Sequence, residues 1–117
     1  MKIEIFKYNN KVIAEITEKN FIINNVEDMV DVLGNTYFLG SDKIIINKNQ
    51  LNDAFFDLKT GFAGEILQKI SNYKMRLAIV GDFNNITSKS LKDFIYESNK
   101  TGRVMFVSTK EEAIDIM

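Results

Sequence analysis

Three short apolar runs rich in β-branched residues constrain the fold of this chain more than any other feature. They lie in Lys43–Ile46, Met75–Gly81 and Arg103–Val107. Continuous apolar runs of this kind are typical of strands that are buried on both faces, and helical patterns separate the three along the chain. Strands that alternate with helices predict a parallel sheet, so we expect these runs to be neighbours in an α/β domain.

An antiparallel hairpin is predicted ahead of these strands. Apolar and polar residues alternate over residues 3–5 and 12–16, on either side of the pair Asn9-Asn10. Asparagine tolerates the positive φ angles of a tight turn, and the alternation predicts strands with one buried face. We also expect a short strand at Phe21–Ile23.

Four helices are predicted from capping residues and apolar stripes. Their expected positions are Asn24 to Gly40, Asp57 to Ser71, Ser88 to Gly102 and Ser108 to Met117, with capping boxes at Asn24/Glu27 and Ser108/Glu111. The chain is therefore expected to form one domain, residues 1–117. In this domain an N-terminal hairpin leads into a mixed sheet with parallel strands and about four helices.

The composition excludes several kinds of function. The chain has no cysteine and no histidine, so it lacks thiolate nucleophiles, disulfides and the commonest zinc ligands. Fifteen basic and sixteen acidic residues give a net charge of −1, without a basic cluster, so we expect no nucleic-acid partner. The first residues alternate between apolar and polar side chains and carry charge, unlike the continuous apolar segment of a signal peptide or a membrane span. We expect a cytoplasmic protein that binds no membrane and no cofactor.

Candidate site residues follow the predicted parallel strands. The carboxyl ends of such strands meet helix starts at one edge of a sheet, which is where ligands bind in α/β domains. Here that edge would collect residues 47–57, Gly81-Asp82-Phe83 and Ser108-Thr109. Asp53, Asp57 and Asp82 could supply oxygen ligands to a hard cation such as magnesium, although aspartate is also a common cap or turn residue.

The segment Asp57–Leu67 is the second candidate. Thr60 precedes Gly61 at the expected start of a helix, which suggests either a hydroxyl that can be modified or a helix cap. Gly61 and Gly64 favour a helix that packs closely against a neighbouring element. Of the adjacent Phe55 and Phe56, we expect at least one to be buried.

Three segments carry a resemblance to a known family: Asp57–Gly61, Ala78–Phe83 and Asp93–Asn99. Almost the whole chain, including these segments, resembles a family of small bacterial proteins known as a domain of unknown function, number forty-one eighty. More distantly, the chain resembles the STAS domains of anti-sigma factor antagonists, in which a hairpin precedes alternating helices and strands. In those domains a serine before a glycine at the start of the second helix is phosphorylated. The resemblance places Thr60-Gly61 at that position, with Asp57 three residues upstream rather than two.

The resemblance implies a non-enzymatic regulatory module with a STAS-like fold that binds a protein partner. Its expected binding or switch residues are Asp57, Thr60, Gly61, Asp82 and Phe83. Two alternatives remain open. One is a small-molecule or divalent-metal site at Asp53, Asp57 and Asp82, with or without catalysis. The other is a homodimer formed through the exposed edge of the N-terminal hairpin.

Overall fold

The computed structural model describes residues 1–117 and contains five strands and four α-helices. The strands are β1 (Ile3–Tyr8), β2 (Lys11–Ile16), β3 (Lys43–Asn47), β4 (Arg76–Val80) and β5 (Val104–Val107). The helices are α1 (Val26–Phe38), α2 (Phe62–Asn72), α3 (Lys89–Thr101) and α4 (Lys110–Ile116). Three short 3-10 turns, Lys48–Gln50, Asp53–Phe56 and Leu58–Thr60, connect β3 to α2.

The five strands form one mixed sheet in the order β1-β2-β3-β4-β5. β1 pairs antiparallel with β2, and every other neighbouring pair is parallel. The register places Ile44 beside Leu77 and Ile46 beside Ile79. The prediction that the three apolar runs are parallel neighbours is therefore confirmed.

The hairpin turn has the conformation that its two asparagines favour. Asn9 and Asn10 have φ angles of 48° and 66°, both in the left-handed region. Two successive positive φ angles give a turn whose twist matches that of the strands it joins, and it aligns Tyr8 with Lys11. The predicted hairpin is confirmed, whereas the expected strand at Phe21–Ile23 is reduced to a single bridge from Ile23 to Leu51.

Two apolar clusters hold the layers together. The larger contains 18 buried residues and packs α1, α2 and the second 3-10 turn against one face of the sheet. The smaller contains seven and lies under α4 on the opposite face. Polar contacts also fix α4: Arg76 donates to the carbonyls of Ile116 and Met117, each at 3.1 Å. Lys110 Nζ lies 2.7 Å from a carboxylate oxygen of Glu15 on β2.

Two helix starts differ from the prediction by one residue. The side chain that caps α1 is Asn25, whose Oδ1 accepts from the Asp28 N–H at 2.8 Å. The side chain that caps α4 is Thr109, whose Oγ1 accepts from the Glu112 N–H at 3.1 Å. In both places two adjacent residues can cap a helix, and the packing of the helix decides between them. Ser88 caps α3 as predicted, through a hydrogen bond to the Leu91 N–H.

The two edges of the sheet are treated differently. Beside β5, the Asn99 side chain of α3 accepts from the Phe106 N–H at 2.7 Å and donates to the Phe106 carbonyl at 3.3 Å. This amide occupies the backbone groups with which a further strand would pair. β1 has no such cover, and the antiparallel register with β2 directs the backbone groups of Ile3, Ile5 and Lys7 outward. The edge of the hairpin is open to pairing, as a homodimer through it would require.

Candidate functional site

A shallow groove of about 460 Å³ lies where β3 and β4 end, at the predicted edge of the sheet. Its lining is mostly polar. Lys48 and Asp53 come from the connection after β3, and Gly81 and Asp82 follow β4. The groove therefore combines one lysine and two aspartates on a surface made by two neighbouring parallel strands.

Lys48 is the central side chain of this groove. It lies within the predicted edge, residues 47–57, but no sequence pattern distinguishes it from its neighbours there. Its Nζ donates to the Asp82 carbonyl at 3.0 Å. The same atom lies 5.5 Å from the ring centre of Phe56 and 5.2 Å from that of Phe83, within the range of cation–π attraction. The lysine stem passes so close to Gly81 that a Cβ there would lie 2.7 Å from Lys48 Cβ. The close approach of the Lys48 side chain thus explains why residue 81 is a glycine.

The structure does not bring the three aspartates together at one point. Asp53 and Asp82 line the groove, but Asp57 does not. Asp57 Oδ1 accepts from the Lys59 N–H at 3.2 Å, and Asp82 Oδ1 accepts from the Asn84 N–H at 2.9 Å. No three acidic side chains in the protein are grouped so that they could hold a metal ion. Asp57 and Asp82 therefore act as cap and turn residues.

A cluster of phenylalanines supports the groove from below. Phe55 is fully buried, which confirms that at least one of the pair Phe55-Phe56 lies in the core. Phe83 is half-buried, and its ring packs edge-on against Phe106 at 5.4 Å between ring centres. The rings of Phe56 and Phe83 lie 6.2 Å apart. These contacts fix the residues after β4 to the connection that leads into α2.

Thr60 lies on the surface directly before α2, and its hydroxyl is engaged. Oγ1 lies 2.7 Å from the Ala54 carbonyl and 2.8 Å from the Asp57 carbonyl, and it accepts from the Phe62 N–H at 3.2 Å. A hydroxyl has one hydrogen, so it donates to one of these carbonyls at a time. Thr60 therefore closes the loop of the 3-10 turns and caps the first amide of α2.

The predicted helix over Asp57–Ser71 begins later, at Phe62. Gly61 has a φ angle of +76°, a left-handed conformation that ends the third 3-10 turn and separates it from α2. The expectation that Gly61 and Gly64 permit close packing is wrong. Both glycines are exposed, and a Cβ added at either would have no atom within 4 Å.

The first turn of α2 leaves donors free. The N–H groups of Ala63 and Gly64 have no acceptor in the protein, as is usual in the first turn of a helix. Gly64 is an exposed residue close to Thr60-Gly61 in the chain. Free amides at the positive end of a helix dipole favour a negatively charged group.

The fold is shared with a protein of known structure. A crystal structure of a candidate anti-sigma factor antagonist from Thermotoga maritima matches with a TM-score of 0.50 and 16% sequence identity. The match covers 97% of this chain and 92% of that chain. The protein is thus an α/β domain of the STAS-like class, as the sequence predicted. No helix of the protein has both the length and the apolar character needed to cross a bilayer.

The family follows from the sequence. A family model described as a domain of unknown function (DUF4180) matches residues 8–117, so the chain belongs to this family. No curated protein sequence matches the chain.

Proposed function

We propose that this protein is a regulatory module that binds another protein through the surface around residues 57–61 and the start of α2. The observation that carries the proposal is the position of Thr60, exposed and directly before a helix whose first amides are free. The structural relative from Thermotoga maritima, a candidate anti-sigma factor antagonist, supports a function through protein contact. Asp82 and Phe83 extend the surface, because the Phe83 ring packs against Phe56.

Modification of Thr60 is the proposed switch. A phosphoryl group would add a charge of about −1.5 to −2 and remove the hydrogen that Thr60 now donates. The carbonyls of Ala54 and Asp57 would then lose their donor and face an anion. The free N–H of Gly64 offers the phosphoryl oxygens a donor, so we expect α2 to persist while the loop before it rearranges. The partner surface would change in both shape and charge.

Affinity capture from the source organism tests the proposal. The bait proteins are wild type, Thr60→Ser, Thr60→Val and Thr60→Glu, with Thr101→Glu as a matched control at an exposed threonine on α3. Wild type, Thr60→Ser and Thr101→Glu should retain the same partner, and Thr60→Glu should lose it. Thr60→Val keeps the shape but not the cap, so it separates the loss of the hydroxyl from the gain of charge. Intact-mass analysis of the native protein should find a species heavier by one phosphoryl group.

Two results would contradict the proposal. One is the same partners from all five baits, which would leave Thr60 as a structural cap. The other is loss of the partner with Thr101→Glu as well as with Thr60→Glu, which would mean that added charge acts without regard to position. Circular dichroism of each bait shows whether a lost partner reflects unfolding.

A further inference from the structure

Large aromatic side chains are exposed where α1 and α2 end. Phe38 is 88% exposed, Tyr37 is 72% exposed and Tyr73 is 49% exposed. At about 200 Å² for a fully exposed aromatic side chain, the three present roughly 400 Å² to solvent. An exposed apolar patch of a few hundred Å² on a single domain is often functional.

A groove of about 470 Å³ continues this patch between the two helices. Val30, Gly34 and Tyr37 line one side of it, and Tyr73 lines the other. Gly34 lies within α1, and a Cβ added there would have no atom within 4 Å. A glycine inside a helix costs about 1 kcal/mol relative to alanine, and no contact within the protein requires it here. The α1 backbone is left open to close approach from outside.

We call this surface the α1 face; it consists of Val30, Gly34, Tyr37, Phe38 and Tyr73 and the charged residues beside them. Charge is distributed unevenly along it. Glu27 and Asp31 lie on the N-terminal half of α1, and both are exposed. Lys11 and Lys74 each line a pocket that also contains Tyr37, at the C-terminal end. None of these four charged residues forms an ion pair within the protein. The surface is therefore acidic at one end and basic at the other.

We infer that the α1 face binds the α1 face of a second copy of this chain, with the two α1 helices antiparallel about a two-fold axis near Gly34. An antiparallel pair brings the acidic end of each helix to the basic end of the other, so that opposite charges meet twice. A parallel pair would bring like charges together. A two-fold interface must be complementary to itself, and a surface with opposite charges at its two ends meets this requirement.

The area indicates a weak dimer. The exposed aromatic side chains of two copies supply roughly 800 Å², which is below the lower limit of about 1,200 Å² for stable interfaces. We therefore expect a dissociation constant in the micromolar range. The start of α2 lies about 16 Å from Tyr73 along the helix, so residues 57–61 stay accessible in this dimer. The dimer does not depend on the proposed function of that surface.

Sedimentation velocity over about 1 to 500 µM protein tests the inference. Wild type should pass from monomer to dimer in this range. Phe38→Ser should weaken the dimer at least tenfold, because buried aromatic anchors supply most of the binding energy of an interface. Tyr96→Ser is the matched control, since Tyr96 is a 63% exposed aromatic residue on α3, and it should dimerise as wild type does. Both replaced side chains are exposed, and melting curves confirm that each variant is folded.

A charge swap tests the orientation. Asp31→Lys and Lys74→Glu should each weaken the dimer several-fold, and the double variant should regain most of the wild-type affinity, because each interface then pairs the same charges in reverse. Raising the salt concentration should weaken the wild-type dimer.

Three results would overturn the inference. The first is a wild-type protein that stays monomeric throughout the range. The second is a dimer that survives Phe38→Ser but is lost when Ile5→Pro blocks the outer edge of β1, which would assign self-association to the hairpin. The third is a double charge variant that dimerises more weakly than either single variant, which would rule out the antiparallel pairing.

Discussion

Gly81 follows β4 at the point where the Lys48 side chain crosses the backbone. A Cβ added at Gly81 would lie 2.7 Å from Lys48 Cβ and 3.1 Å from Lys48 Cδ. Carbon atoms in contact are about 3.5–4.0 Å apart, so the added methyl group overlaps the lysine by about 1 Å. Lys48 Cβ is fixed to its backbone and cannot swing away. Either the end of β4 or the first 3-10 turn must therefore move.

We expect Gly81→Ala to lower the free energy of unfolding by about 1–3 kcal/mol, the usual range for an overpacked site. A chain of this length melts about 4 °C lower for each kcal/mol, so the melting temperature should fall by about 4–12 °C. Movement of Lys48 would also disturb its bond to the Asp82 carbonyl and its contacts with Phe56 and Phe83. The φ angle of Gly81 is not positive, so the loss reflects overlap and not backbone strain.

Urea denaturation followed by circular dichroism measures the effect. Gly64→Ala is the matched control, because it adds the same methyl group in open space within a helix and should raise stability by about 0.5–1 kcal/mol. Lys48→Gly removes the overlapping Cβ, so Gly81→Ala should cost less in that background than in wild type. A Gly81→Ala protein as stable as Gly64→Ala would refute the reasoning, as would an equal cost of Gly81→Ala in both backgrounds.

Two further predictions concern the attachment of α4. Arg76→Met should release the end of α4, because the hydrogen bonds from the guanidinium to the last carbonyls are lost. We expect the free energy of unfolding to fall by about 1–3 kcal/mol. Relative to wild type, hydrogen exchange should accelerate more for the α4 amides than for the α2 amides. The hydrogen bond that Lys110 donates to the Glu15 carboxylate raises the pKa of Lys110 above its ordinary value of 10.5. The stabilisation is complete below pH 10.5 and is lost as the pH rises through the raised pKa. A double-mutant cycle with Glu15→Gln and Lys110→Met should therefore give a coupling free energy of about 0.2–1 kcal/mol at pH 7. At strongly alkaline pH the coupling free energy should vanish, and an unchanged value there would contradict the prediction.

The parallel strands were predictable because burial on both faces requires a continuous run of apolar residues, which can be recognised in the sequence. The run Ile44–Ile46 has no polar residue, and the pair Asn9-Asn10 tolerates the two positive φ angles of a tight turn. These features act locally, so they can be recognised without knowing their neighbours. The exact starts of α1 and α4 could not be predicted, because Asn24/Asn25 and Ser108/Thr109 each offer two capping residues.

The connection from β3 to α2 was not predictable in the same way. Its 3-10 turns depend on distant contacts, such as the pairing of Ile23 with Leu51. For the same reason the sequence did not predict which glycine lies in close contact: Gly81 lies against Lys48, whereas Gly64 has no neighbour within 4 Å. The ends of the parallel strands did predict that Asp53 and Asp82 share one groove. Lys48 was not singled out within residues 47–57, because its contact with Phe83 joins parts of the chain that are distant in sequence.

The exposed aromatic residues of α1 do leave a signal in the sequence. Tyr37-Phe38-Leu39 is a run of three large apolar residues at the end of a helix, where only one of three consecutive positions can face the core. Such a run predicts apolar exposure, and the structure leaves all three residues exposed.

Photo-crosslinking from one position tests most directly whether a protein partner binds at the start of α2. The chain has no cysteine, so a single cysteine bearing a benzophenone can be introduced at Lys59→Cys, beside Thr60, or at Lys92→Cys, exposed on α3. In extracts of the source organism, we expect one protein to be captured from position 59 and not from position 92. Adding Thr60→Glu should abolish that capture. No capture from position 59, equal capture from both positions, or capture that persists with Thr60→Glu would contradict a switched partner site at this helix.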